Sequence, residues 1–455
     1  MGCLQSLVSP GTATADGNDL AILDKYRGDA LANKTASKDG WQRYDYQLEN
    51  IAFSGGGVKG FAYIGAMQAL DDAGVLVKIR RIAGTSAGAI CGGLLSVGCT
   101  PQEIADVFQG DIKKLFHDQS CICCCGLPKI YRRFGINAAE RFKRIYGEHI
   151  ARKTGNPNIT FGEVYKEYGR ELCIVVTNLS QMRSEFFHYT TTPDLPIRVA
   201  VRMSMSFPVI FEPIWYDVNG TLDLYCDGGV MNQYPIHCFD GPDLELNHNS
   251  EKDEIRTINE KTIGLYVVSE RAVDHKIWQQ LFGEKIPTKP SYIPNTKLAR
   301  TRLNEELAKW KRVQKLKNVD KEEIKSDVRQ QKLDALEQNI HYETTTTESV
   351  SIGHFADFMQ ATLETILVAQ RKASVKPEDL RRTVAINCGY IGTNDYVIEP
   401  GDREFMIQQG YLHTVDYLKD YVQRARTKQQ EDCHLARSKD STSTFKSLSS
   451  VHTVV

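Results

Sequence analysis

Short apolar runs alternate along this chain with stretches whose apolar positions fall three and four apart, the pattern of buried strands interleaved with helices. Asn50-Ile51-Ala52-Phe53 predicts a buried strand. After Ser54-Gly55-Gly56-Gly57-Val58-Lys59-Gly60, the residues Tyr63, Ile64, Met67 and Leu70 mark one helical face, ended by Gly74. Ile79 to Ala83 predicts a second strand. Strand, loop, helix and strand form a βαβ unit, so these two strands are expected parallel. An uncharged helix should follow Ser86, with Gly88 and Gly92 one turn apart for close packing on the sheet. Thr100-Pro101-Gln102-Glu103 has the form of a capping box with proline at the first helical position.

Further strands are expected at Leu172 to Thr177, Glu185 to Tyr189, Thr262 to Val268 and Thr383 to Asn387. Glu212 to Tyr216 and Leu222 to Cys226 flank Asn219-Gly220, a hairpin signature. Helices are expected from Pro196 to Met205, His354 to Arg371 and Asp402 to about Arg424. The whole reads as an α/β domain over residues 47–425, with a mainly parallel central sheet flanked by helices.

The pattern lapses in three places. Residues 1–46 are polar and read as a flexible segment, with the folded part starting near Tyr46. Residues 270–350 read as a charged helical insertion. Within it, eight Lys or Arg fall between Lys297 and Lys317 against two glutamates; a solvated helical face is the first reading, contact with anionic lipid headgroups the second. Residues 426–455 are rich in Ser, Thr and Lys and read as a disordered tail.

Composition narrows the classes. A net charge of −1, with 25% charged and 41% hydrophobic residues, gives no reason to expect a nucleic-acid partner. Twelve cysteines without a secretory signal read as reduced thiols rather than a disulfide framework. Residues 82–102 are uncharged and long enough to span a bilayer, but five glycines and several hydroxyls favour a buried helix. Cys121-Ile122-Cys123-Cys124-Cys125 is too tight to wrap one tetrahedral ion, so a loop of reduced thiols, open to S-acylation, is preferred to a metal site.

Met1-Gly2-Cys3-Leu4-Gln5-Ser6 fits the pattern for myristoylation of Gly2, with Cys3 beside it for palmitoylation. Two acyl chains hold a membrane where one does so marginally, so the expected location is cytoplasmic, peripheral on the cytosolic face of a membrane. Thr453-Val454-Val455 resembles a ligand for PDZ domains, against an uncommitted tail.

Candidate chemistry centres on Gly84-Thr85-Ser86-Ala87-Gly88. Placed between a strand and a small-residue helix, G-x-S-x-G is the pattern of a turn that lifts a serine hydroxyl clear of a sheet. Such a hydroxyl needs a base. His237, His275, His341, His354 and His413 all follow Asp227, yet none sits in a glycine-flanked loop at a clear strand end. Asp227 does, ahead of Gly228 and Gly229. Gly55, Gly56 and Gly57 could offer backbone N–H groups to an oxyanion, with Lys59 adding positive potential. A phosphate loop is excluded because Lys59 precedes Gly60-Phe61 rather than Ser or Thr, and a dinucleotide site because Arg81 and Ile82 stand where an acidic residue is needed.

Together, Gly55–Gly60, Gly84–Gly88 and Asp227-Gly228-Gly229 resemble the three signature blocks of the patatin-like phospholipases. Ser204-Met205-Ser206-Phe207-Pro208 and Asn232-Gln233-Tyr234-Pro235 match further blocks. The resemblance implies a patatin-like fold and a Ser–Asp dyad lipid acyl hydrolase without metal or cofactor. Ser86 would attack the acyl ester of a (lyso)phospholipid, Asp227 would accept its proton, and Gly55, Gly56 and Gly57 would hold the oxyanion. A neutral-glyceride lipase, a histidine-triad esterase and a catalytically silent lipid-binding scaffold are the competing readings.

Overall fold

The structure, a computed structural model, describes residues 40–108, 111–116, 130–218, 220–241, 258–270, 290–305, a few positions between 358 and 370, and 375–449. Gly2, Cys3, the Cys121–Cys125 cluster, most of the 270–350 insertion, most of the His354–Arg371 helix and the Thr453–Val455 end lie outside the described residues.

The strands are β1 (Asn50–Phe53), β2 (Arg81–Thr85), β3 (Gly135–Asn137), β4 (Glu171–Asn178), β5 (Arg183–Phe187), β6 (Val209–Phe211), β7 (Ile214–Val218), β8 (Thr221–Asp227), β9 (Thr262–Val268) and β10 (Thr383–Asn387). Eight of them form one sheet in the order β10-β9-β1-β2-β4-β8-β7, with β5 also on β4; β3 and β6 pair separately. From β10 to β4 the sheet is parallel, while β5, β7 and β8 run antiparallel to their neighbours. Every residue of β1 and β9 is buried. That is why these strands read as unbroken apolar runs rather than alternating ones.

One detail of register positions everything that follows. Thr85 at the end of β2 is opposite Val175 of β4, and Asp227 at the end of β8 is opposite Val176. The other edge of β4 is occupied by β5, so β2 and β8 share one edge and meet end to end. A parallel strand rising and an antiparallel strand descending thus deliver their last residues to the same point.

Helix α1 (Phe61–Asp72) follows β1, α2 (Ala87–Ser96) follows β2, and α3 (Pro101–Val107) carries the Thr100–Glu103 capping box. The uncharged 82–102 stretch is therefore β2, α2 and the start of α3, nearly all of it buried. Among the described residues no helix is long and apolar enough to cross a membrane. Helix α4 (Ile197–Ser204) packs on β4 and β8. The last helix, α5 (Pro400–Ser449), lies along α1. Gly65 and Gly410 make that approach possible, since a β-carbon on either would run into the facing backbone carbonyl, of Ile407 or Ala62.

Several boundaries differ from expectation. β2 starts and ends two residues later than Ile79–Ala83, because Gly84 and Thr85 still pair with β4. Packing on the domain extends ahead of the expected start near Tyr46: Trp41 is buried, its carbonyl accepts from the Tyr46 hydroxyl at 2.7 Å, and Tyr44 and Tyr46 pack on Tyr421 of α5. α5 continues past Arg424 to Ser449, into the stretch read as disordered. Of the basic segment beginning at Lys297, residues 297–305 are helical and lie against the domain, with Arg302 paired to Asp395 at 3.0 Å.

Candidate active site

Ser86 sits between β2 and α2 with φ 53 and ψ −118, a backbone conformation strained for any residue with a side chain. The surrounding structure holds it there. Its N–H donates to Ser204 Oγ at 2.9 Å, and that hydroxyl donates to the Val175 carbonyl at 2.6 Å. Neither flanking glycine has room for a side chain. A β-carbon on Gly84 would strike the Gly88 carbonyl, and one on Gly88 would lie 2.5 Å from the Phe53 carbonyl oxygen.

Ser86 Oγ donates to Asp227 Oδ2 at 2.7 Å. The other carboxylate oxygen, Oδ1, accepts the Gly229 N–H at 2.7 Å. Asp227 is also anchored through its backbone, its N–H donating to the Ser206 carbonyl at 3.0 Å and its carbonyl accepting from Thr177 Oγ1 at 2.9 Å. At 3% exposure it is buried, and burial pushes its carboxyl up to about 7 against the opposing pull of the Ser86 and Gly229 hydrogen bonds. Gly228 has no room for a side chain against the Val175 carbonyl, nor Gly229 against the Gln233 amide.

The glycine loop is not uniform. The Gly55 N–H is already taken, donating to the Gln233 carbonyl at 2.9 Å, and the Val58 N–H donates to the Thr393 carbonyl at 3.1 Å. Gly56 and Gly57 line the cleft beside Ser86, and their N–H groups have no recorded acceptor among the described residues. Lys59, expected to add positive potential, is buried and does not line the cleft. Gly60 lets α1 approach α2, since a β-carbon there would lie 2.9 Å from that of Ala87.

Ser86 and Asp227 stand in a cleft that is open to solvent at its mouth. Its walls are mostly apolar, including Phe61, Phe108, Phe116, Met205, Phe207, Phe211 and Tyr396. Such a lining suits a hydrocarbon chain led to a polar end where the hydroxyl waits. Burial and the nearby Asp227 charge raise the Tyr396 phenol above its ordinary value.

No histidine among the described residues lines the cleft. His237 is held elsewhere, between Asp240 and Asp379 at 3.0 Å each in a buried cluster with Arg382. His413 lies on α5, its imidazole driven down to about 4 by burial. His275, His341 and His354 lie outside the described residues.

A model of the family described as patatin-like phospholipase matches residues 51–240. The chain is 34% identical over 216 residues to an uncharacterized protein, R571, of Acanthamoeba polyphaga mimivirus, spanning 46% of this chain and 68% of that one. The chain belongs to the patatin-like phospholipase family. Another relative, a probable lipid hydrolase, 463L, of Invertebrate iridescent virus 6, is 29% identical over 214 residues, or 45% of this chain and 66% of that one. Among solved structures, VipD from Legionella pneumophila aligns at a TM-score of 0.42 and 17% identity, over 82% of this chain and 67% of that chain. As a patatin-like protein the chain is a lipid hydrolase by family, with a mixed α/β fold about a central sheet.

Two parts of this patatin-like site escape the motif blocks. The loop after β10 places Thr393 on the glycine loop and Tyr396 in the cleft. The only signal for it was position, since loops at the carboxyl ends of parallel strands gather at one edge. Arg202 on α4, 1% exposed, donates to the carbonyls of Ala138 and Glu212 at 2.8 and 3.0 Å and to Ser206 Oγ at 2.5 Å. It fastens the segment whose Ser206 carbonyl holds Asp227. An arginine in an apolar helix run was the available clue.

Proposed function

We propose that the protein hydrolyses fatty-acyl esters of phospholipids or lysophospholipids through Ser86 and Asp227. The observation that carries this reading is the 2.7 Å contact between the Ser86 hydroxyl and the Asp227 carboxylate at the polar end of an apolar cleft. Ser86 Oγ attacks the ester carbonyl as its proton passes to Asp227. The negative oxygen of the tetrahedral intermediate faces the N–H groups of Gly56 and Gly57, each such donor contributing roughly 3 kcal/mol to lowering the barrier. Collapse expels the alcohol, a lysolipid or glycerol backbone, which leaves with the proton from Asp227. Water then attacks the acyl-enzyme, giving its proton to Asp227, and Ser86 recovers that proton as the fatty acid departs. A carboxyl near 7 is suited to taking and returning a proton at neutral pH. Acylation at Gly2 and Cys3 would keep the protein at the cytosolic face where such lipids lie, and incorporation of labelled myristate in eukaryotic cells tests that part.

The experiment is fatty-acid release from defined phospholipid and lysophospholipid vesicles by wild type and Ser86→Ala, with fluorophosphonate labelling alongside. The wild type should release fatty acid and take the label, and the variant should do neither. A wild-type chain inert in both assays would favour the silent scaffold instead.

A further inference from the structure

The segment that follows Asp227 brings one more polar side chain to the cleft. Gln233 lines the cleft and is only 7% exposed. Its backbone is pinned on both sides. The carbonyl accepts the Gly55 N–H at 2.9 Å, and the N–H donates to Gln370 Oε1 at 3.3 Å. Gln370 Nε2 in turn donates to the Met231 carbonyl at 2.8 Å. One residue earlier, the Asn232 carbonyl accepts from Thr85 Oγ1 at 3.0 Å, which fastens the segment to the end of β2.

The Gln233 side chain is not committed in this way, since among the described residues no hydrogen bond is recorded to its amide. A primary amide taken out of water with its donors and acceptor unmatched costs stability until a partner arrives. Its surroundings identify that partner. A β-carbon on Gly55 would lie 2.7 Å from Gln233 Nε2, while one on Gly229 would strike Gln233 Oε1 and lie 3.0 Å from Asp227 Oδ1. The amide therefore fills the space between the glycine loop and the Asp227 turn.

With an ester carbonyl carbon at Ser86 Oγ, its oxygen faces Gly56 and Gly57 and its acyl chain follows the aromatic walls. The alcohol oxygen is left on the side of Asp227, where Gln233 stands. Among the described residues neither Lys nor Arg lines the cleft, so no side-chain cation there neutralises a phosphate. An uncharged amide that both donates and accepts is matched to a hydroxyl, which does the same.

We propose that Gln233 is a specificity-determining residue whose amide hydrogen-bonds the free hydroxyl beside the scissile ester of a monoacyl glycerolipid, such as a lysophospholipid. The inference rests on the reading of Ser86 and Asp227 as the hydrolytic pair. A site built to bond a hydroxyl discriminates against an ester that lacks it, because the buried amide then stays unpaired.

The test uses the full chain and mixed detergent micelles. It compares kcat/KM for palmitoyl-lysophosphatidylcholine, the analogue of that lipid lacking the glycerol hydroxyl, and monopalmitoylglycerol, which has the hydroxyl but no phosphate. The wild type should favour the two hydroxyl-bearing esters over the deoxy analogue by roughly tenfold. Gln233→Met keeps the length of the side chain without its polar atoms, and thermal melting reports whether it is folded. It should bring both preferences close to one. Equal wild-type rates on all three esters overturn the proposal and leave the hydrolase reading standing. A folded Gln233→Met that keeps the preference also overturns it, as does one that loses it for the lysolipid alone, which would put the contact at the headgroup. A wild type that cleaves none of the esters refutes the hydrolase reading and the proposal with it.

Discussion

Asp227→Asn separates catalysis from stability in one residue. The carboxyl moves from an ordinary 3.8 to about 7 in the fold, chiefly because it is buried. Below pH 3.8 the folded and unfolded states are both protonated and no penalty exists. As pH rises toward about 7 the unfolded aspartate ionises while the folded one keeps its proton, so the wild type loses stability across that window. The full loss is roughly 4 kcal/mol at 1.36 kcal/mol per pH unit, and roughly 3 kcal/mol of it falls between pH 5 and pH 8. Asparagine keeps the shape and cannot ionise. Urea unfolding of both proteins at about pH 5 and pH 8 should show the variant gaining roughly 3 kcal/mol on the wild type at the higher pH. Turnover should fall by about 10²- to 10⁴-fold, the range for loss of a general base, and the wild-type rate should rise with pH through about 7. Parallel stability curves for the two proteins, or a variant that still turns over, would refute the argument.

The other expectations concern the supports of the site. Arg202→Met leaves the Ala138 and Glu212 carbonyls and the Ser206 hydroxyl without their donor. Calorimetry should register a loss of roughly 3 kcal/mol, with turnover falling as Ser206 loosens beneath Asp227. Arg302→Ala frees Asp395, whose carboxylate also accepts the Gly392 N–H at 2.7 Å, and so slackens the loop carrying Thr393 and Tyr396. The pair is partly exposed, so stability should change by less than about 1 kcal/mol, while KM for long-chain esters rises several-fold and short-chain turnover is unaffected.

Much of the site could be read from local chemistry. The elbow around Ser86, the Asp227-Gly228-Gly229 end and the glycine loop are short segments whose residue types follow from steric demands on their own backbones. Central strands such as β1 and β9 were plain for the same reason, since a strand buried on both faces has no polar alternation to obscure it. Edges were less legible. The β7 and β5 boundaries shifted by two residues, because half-buried strands carry weaker patterns and their ends are set by partners.

From residue order alone came an α/β domain, a serine at the apex of a strand–helix turn, and an aspartate at a strand end far along the chain. Folding decided that those two ends meet, because β2 and β8 compete for the same edge of β4 and stop against each other at Val175 and Val176. It decided too that only part of the glycine loop faces the cleft, since the Gln233 carbonyl draws away the Gly55 N–H and the Thr393 carbonyl that of Val58. Those are pairings between segments tens to hundreds of residues apart. Local pattern records what a backbone can tolerate, whereas the partner it finds depends on which edge the packed sheet leaves open.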